Sequence, residues 1–155
     1  MLERCPSCKV GKLQSRTIER SRRVAGHVFT ARLPARVCVA CGESFFADAT
    51  VSNFDLLVGA RMAEAGVTDA EALKFMRKVT GLNGKQFAEL LEVRPETVSR
   101  WEKDKRPIDR ATYAVIRQLL FDRMHGSSET ADYLRSLRRP KRLPKRVKID
   151  FHDAA

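Results

Sequence analysis

The stretch Leu82-Asn83-Gly84-Lys85-Gln86-Phe87-Ala88-Glu89-Leu90-Leu91-Glu92-Val93-Arg94-Pro95-Glu96-Thr97-Val98-Ser99-Arg100-Trp101-Glu102 decides the reading of the fold. Asn83 is a good N-cap, and Phe87, Leu90 and Leu91 recur at the spacing of one apolar helical face. Ala88 is small at the place where a second helix must cross closely. Glu92-Val93-Arg94 makes a turn with Val93 pointing inward. Pro95 then falls at a first helical position, where its missing N–H is harmless. Val98 and Trp101, three apart, anchor a second short helix on the first, and Trp101 is a core residue. Glu96, Thr97 and Arg100 are left on the outward face near the N-terminus of that second helix. Side chains so placed can be offered to the major groove of DNA.

The residue types suit that task. Arg100 can donate a bidentate pair to guanine, Glu96 can accept from the cytosine amino group, and Thr97 can meet a base or a thymine methyl. Lys103, Lys105 and Arg106 follow the helix, Arg94 precedes it, and Lys85 lies near the start of the first helix. These cations are candidates for phosphate contacts, which set register without reading sequence. An ordinary helical hairpin with a solvated face would share the apolar spacing, and an acid at Glu96 also stabilises the helix dipole without touching a base.

Working towards the N-terminus, Val51, Phe54, Val58, Met62 and Ala65 predict an amphipathic helix ending near Gly66. Thr68-Asp69-Ala70-Glu71 has the pattern of a capping box for the next helix, with Leu73, Met76 and Val79 on one face and Gly81 as its stop. The first third of the chain is different. It holds all the cysteines, as two dyads, Cys5-Pro6-Ser7-Cys8 and Cys38-Val39-Ala40-Cys41, separated by 29 residues with short β-prone runs. Each dyad can turn two thiolates to one side, so Cys5, Cys8, Cys38 and Cys41 predict a closed four-sulfur site for one structural Zn2+ per chain. Gly11 and Gly42 are expected to supply left-handed backbone that aims amides at the sulfurs. The loop between the dyads has room for a β-hairpin or three short strands. Two redox dyads would need a thioredoxin-like strand–helix context that is lacking. His27 and His125 have no partner at ligand spacing and read as surface or packing residues.

Length and charge bound the rest. The chain has 155 residues, enough for one domain or two small ones, and a formal charge of +11. The sequence contains no run of eighteen apolar residues that could span a membrane, and no basic start precedes an apolar stretch, so a cytoplasmic, reducing setting without a membrane partner is expected. The surplus charge points to a polyanion, but it is unevenly spread. Residues 1–48 hold nine Lys/Arg against four Asp/Glu, residues 49–125 thirteen against eleven, and residues 126–155 eight against four. Any phosphate binding by the middle segment therefore depends on placement. The last segment contains Arg138-Arg139-Pro140-Lys141-Arg142-Leu143-Pro144-Lys145-Arg146 and is expected to be a flexible basic tail. That run could lie along DNA phosphates. Val147, Ile149 and Phe151 alternate like a short edge strand, although the preceding prolines favour a disordered end.

The expected architecture is mainly α with a small β part. It comprises an N-terminal four-cysteine, zinc-ribbon-like zinc-binding module (1–48), a connecting helix (49–67), a C-terminal five-helix helix-turn-helix (XRE-like) domain (68–125) and the tail (126–155). Residues 73–121 resemble a Cro/repressor-type (XRE) helix-turn-helix around Ala88, Val93, Thr97-Val98-Ser99-Arg100-Trp101-Glu102 and Lys105-Arg106-Pro107. The order of the two cysteine dyads, a helix and this motif over residues 1–124 resembles the MqsA/YgiT-type antitoxin family. The resemblance implies that Cys5, Cys8, Cys38 and Cys41 bind zinc and that the zinc domain binds a toxin, typically an mRNA-cleaving ribonuclease. It also implies a homodimer through the helix-turn-helix domain that represses its own operon, with Arg100 as the principal base reader. The family often has asparagine where Glu96 stands, and many XRE domains have glutamine where Gly84 stands, so operator sequence and one phosphate contact should differ. A zinc-containing XRE-family transcriptional regulator without a toxin is the alternative. An RNA-binding accessory protein ranks last because aromatics are only 7% of residues. No acid–base or nucleophile constellation suggests an enzyme.

Overall fold

The computed structural model describes residues 4–149. Two long strands, β1 (Leu13–Val24) and β2 (His27–Cys38), and a short β3 (Ser44–Phe45) form an antiparallel sheet in the order β1-β2-β3. Helices α1 (Asp48–Ala65), α2 (Ala70–Val79), α3 (Gly84–Leu90), α4 (Pro95–Trp101), α5 (Arg110–Met124) and α6 (Glu129–Leu137) follow. The chain is thus a small sheet module with clustered cysteines joined to helices. Among the described residues no helix is long and apolar enough to cross a membrane.

The segment between the dyads is a single hairpin of two 12-residue strands, about 40 Å long at the usual rise. Its turn is Ala25-Gly26, with φ of 49° and 76°, the paired positive values of a two-residue type I′ turn. The strand period of two separates its faces. Val24, Phe29, Ala31 and Leu33 join the main apolar core with the helices, while Ser21, Arg23, Thr30 and Arg32 face water. Arg22 of β1 forks onto Asp55 of α1 at 2.8 and 2.5 Å. One end of the hairpin is therefore built into the helical unit and the other carries the cysteines.

Helix α1 is a member of the core, not a spacer. It buries Phe54, Leu56, Val58, Gly59, Met62 and Ala63, and it packs on α2 and α5. Gly59 allows the close approach: a Cβ there would stand 2.8 Å from a Val79 methyl. The helix ends with Gly66 at φ 73°, where Gly66 N–H reaches Ala63 and Val67 N–H reaches Met62, a Schellman pattern. The capping box expected at Thr68…Glu71 does not form. Asp69 is the N-cap, without a side-chain bond, so the helix starts one residue too late for Thr68 and Glu71 to face each other.

The segment 126–155, expected to be flexible throughout, begins with a docked helix. Gly126 ends α5 in a second Schellman turn, with Gly126 N–H on Arg123 and Ser127 N–H on Asp122. The Asp122 carboxylate then accepts from the Thr130 amide at 2.7 Å, satisfying an N-terminal donor of α6. Ala131 and Leu134, three apart, press against the core. Beyond Arg138 the chain is exposed and without helix or strand up to Ile149. Val147 and Ile149 are not in a strand, and Asp150 and Phe151 lie outside the described residues.

Candidate metal centre and nucleic-acid interface

The two dyads form matching turns. Lys9 N–H bonds Cys5 carbonyl and Gly42 N–H bonds Cys38 carbonyl, each at 3.0 Å. Cys5 N–H reaches back to Gly11 and Cys38 N–H to Glu43, at 2.8 and 2.9 Å. The residue after each second cysteine is left-handed, Gly42 at φ 75° and Lys9 at φ 62°. Gly42 thus acts as expected, but Gly11 does not. Its role is space: a Cβ on Gly11 would collide with Cys38 Sγ and come within 2.8 Å of Ala40 Cβ. Bare backbone lets the Gly11 amide donate to Cys8 Sγ at 3.4 Å.

All four sulfurs lie within 4.8 Å of one another. Cys5 and Cys41 are 3.7 Å apart and Cys8 and Cys38 3.6 Å apart, too far for disulfides. Those separations match the edge of about 3.8 Å of a tetrahedron built on metal–sulfur bonds of about 2.3 Å. Cys5 and Cys38 are buried beside Leu13 and Phe45. The thiols do not ionise alike. Amides of Gly11 and Val10 bring Cys8 down to about 6, and the Cys41 amide lowers Cys38. Cys41 is pushed up to about 12: the Glu43 amide lowers it, but Cys38, burial, Cys5 and Cys8 together outweigh that effect. Adjacent thiolates repel, and a bound cation would remove the penalty. The donor set therefore fits a metal ion.

The second candidate site lies on α3 and α4. Asn83 caps α3 through a reciprocal box: its carboxamide accepts from Gln86 N–H at 2.8 Å, and Gln86 Oε1 accepts from Asn83 N–H at 2.9 Å. Glu92 at φ 54° closes α3, with Val93 N–H on Ala88 carbonyl turning the chain. Phe87, Ala88, Leu90, Val98 and Trp101 are buried, so the two helices lock through the residues expected to lock them. Lys85, Arg94, Glu96, Arg100, Lys103, Lys105 and Arg106 are exposed, and Thr97 is half-buried. Among the described residues none of these charged groups is held in an intramolecular ion pair.

Two positioning contacts escaped the sequence reading. Arg77 of α2 is buried, donating to Glu102 at 2.5 and 3.3 Å and to the Leu82 carbonyl at 2.8 Å. One bidentate pair thus ties α2 to the end of α4. The available signal was a cation on an apolar face, four residues after Leu73. The second is Arg138, whose guanidinium bonds the Glu89 carbonyl and lies 3.5 Å from the Glu92 carboxylate. It carries no local pattern. Comparison of the chain with models of protein families and with curated proteins finds no match to either.

Proposed function

We propose that the chain is a type II antitoxin and autorepressor, a non-catalytic protein in which residues 82–106 form an XRE-like helix-turn-helix that reads operator DNA. The observation that carries the reading is α4 itself. Its inner side, Val98 and Trp101, is buried, its end is clamped through Glu102, and Glu96, Thr97 and Arg100 point outward without intramolecular ion pairs. Arg94, Lys85, Lys103, Lys105 and Arg106 surround that face as phosphate contacts. The four cysteines hold one structural Zn2+, and with every position taken by protein there is no open site for hydrolysis.

A homodimer through the helical unit is part of this reading. Leu57 of α1 and Phe121 and Met124 of α5 are exposed, flanked by Glu64 and Arg117, charges that a two-fold copy could set against each other. A dimer would read half-sites about one helical turn apart. The toxin, a ribonuclease encoded beside this gene, would be held by the cysteine module.

One observation favours the alternative, a zinc-containing XRE-family regulator with no toxin. The hairpin tip is part of the helical core, so the metal module already serves as a brace and needs no partner to explain it. Co-expression with the neighbouring frame and pull-down separates the two. Arg100→Ala should weaken binding to the DNA upstream of its own gene by about 1–3 kcal/mol. Unchanged affinity removes α4 as the reading helix.

A further inference from the structure

We infer that residues 139–149 form a basic arm that tracks DNA phosphates alongside the α3–α4 pair. This inference rests on the reading of that pair as the DNA-contacting element. Composition alone shows cations in the tail; the structure shows where they begin. Helix α6 is held by Asp122 at its N-terminus and by Ala131 and Leu134 against the core. At its other end Arg138 is bonded to the Glu89 carbonyl and paired with Glu92, at the end of α3 and in the turn leading to α4. The root of the arm is thereby fixed at Glu92, two residues in sequence from Arg94 and three from Pro95, where α4 starts.

The arm has the chemistry for polyanion tracking. Arg139, Lys141, Arg142, Lys145, Arg146 and Lys148 fall in eleven residues, and no acid occurs between residues 133 and 149. Residues 139–149 are all exposed, and no ion pair within the chain holds these six cations among the described residues. Pro140 and Pro144 favour extended backbone. Eleven residues at about 3.1 Å each reach about 34 Å, the length of about ten base pairs. Glu92, beside the root, is paired with Arg138, which offsets part of its repulsion of an approaching phosphate. The arm also explains how a helical unit with thirteen cations and eleven acids reaches the field needed for DNA.

The test uses the full chain and a 30-base-pair duplex of arbitrary sequence, with binding measured by anisotropy across a salt series. Replacing all six cations by Gln should make the slope of log K against log salt shallower by three or more, at about 0.9 per lost phosphate contact. Affinity near 100 mM salt should fall at least tenfold. Arg100→Ala should change that slope by no more than about one, while lowering discrimination between the DNA upstream of its own gene and the arbitrary duplex. Arg138→Ala, which frees only the root, should keep the slope and weaken binding severalfold. A slope within one of the unmodified chain, with Arg100→Ala still abolishing discrimination, overturns the arm and leaves the helix pair standing. No duplex binding by the unmodified chain overturns both. An effect of the six substitutions on single-stranded RNA of equal length, and none on duplex, also overturns the arm.

Discussion

Arg77 lies across Glu102 with both side chains largely buried, 9% and 14% exposed, so one guanidinium fork sets the end of α4 against α2. The contact is made on the C-cap of α4, two residues beyond Arg100, and holds that end of the short helix against α2. Arg77 also satisfies the Leu82 carbonyl just before α3, so three segments meet on one side chain.

Removing one partner strands the other inside. Arg77→Ala or Glu102→Ala should destabilise the fold by about 3–5 kcal/mol, and replacing both by apolar residues should lose less than either alone. Urea unfolding followed through the buried Trp101 measures each term. Additive losses would show that the pair is not coupled.

Metal removal should act locally. Among the described residues the apolar cluster at the cysteine end is small, built on buried Cys5, Leu13 and Cys38, whereas Val24 at the other end of the hairpin belongs to the helical core. A chelator should therefore expose residues 5–17 and 34–45 to hydrogen exchange while α1–α5 stay protected. Gly11→Ala should lower metal affinity about 10–100-fold, by displacing Cys38 Sγ and the amide that supports Cys8. One metal ion per chain, lost on any Cys→Ser change, is the expected stoichiometry.

Acid should release α6 before it unfolds the rest. Burial pushes the Asp122 carboxyl up, but bonds from Thr130 and Gln118, with nearby His125, hold it below the usual carboxylate range. A depressed folded value means the stabilisation is complete above the unfolded pKa of about 3.9 and is lost as pH falls through the lower folded value. The Thr130 amide resonance should stay fixed from neutral pH to about pH 4 and move only below that. Detachment at pH 5 or above would contradict the role given to Asp122.

Backbone fit can be tested at the hairpin tip. Ala25 occupies a left-handed position that an L-residue with a plain Cβ disfavours. Ala25→Asn should stabilise the chain by about 0.5–1 kcal/mol, because Asn suits the first position of this turn. Gly59→Val should do the opposite, losing about 1–3 kcal/mol by forcing α1 away from Val79. Denaturation midpoints report both.

Local chemistry was enough for several elements. Cys-x-x-Cys spacing marked the four sulfurs, Asn83 and Pro95 marked the starts of α3 and α4, and the spacing of Phe87, Leu90, Val98 and Trp101 marked their buried sides. These are contacts between residues a few positions apart, where periodicity and capping carry the information. Lys9 in place of Gly11 as the left-handed residue, and the capping box that failed at Thr68, show how one residue of register escapes such rules. What tertiary structure alone decided depends on distant partners. Arg22 meets Asp55 33 positions away, Arg77 meets Glu102 25 away, and Arg138 meets Glu89 49 away. Those pairings tie the hairpin to the helical core, hold the end of α4, and root the basic tail beside it, because the partner of a long charged side chain lies tens of positions away and is met only once the backbone is folded.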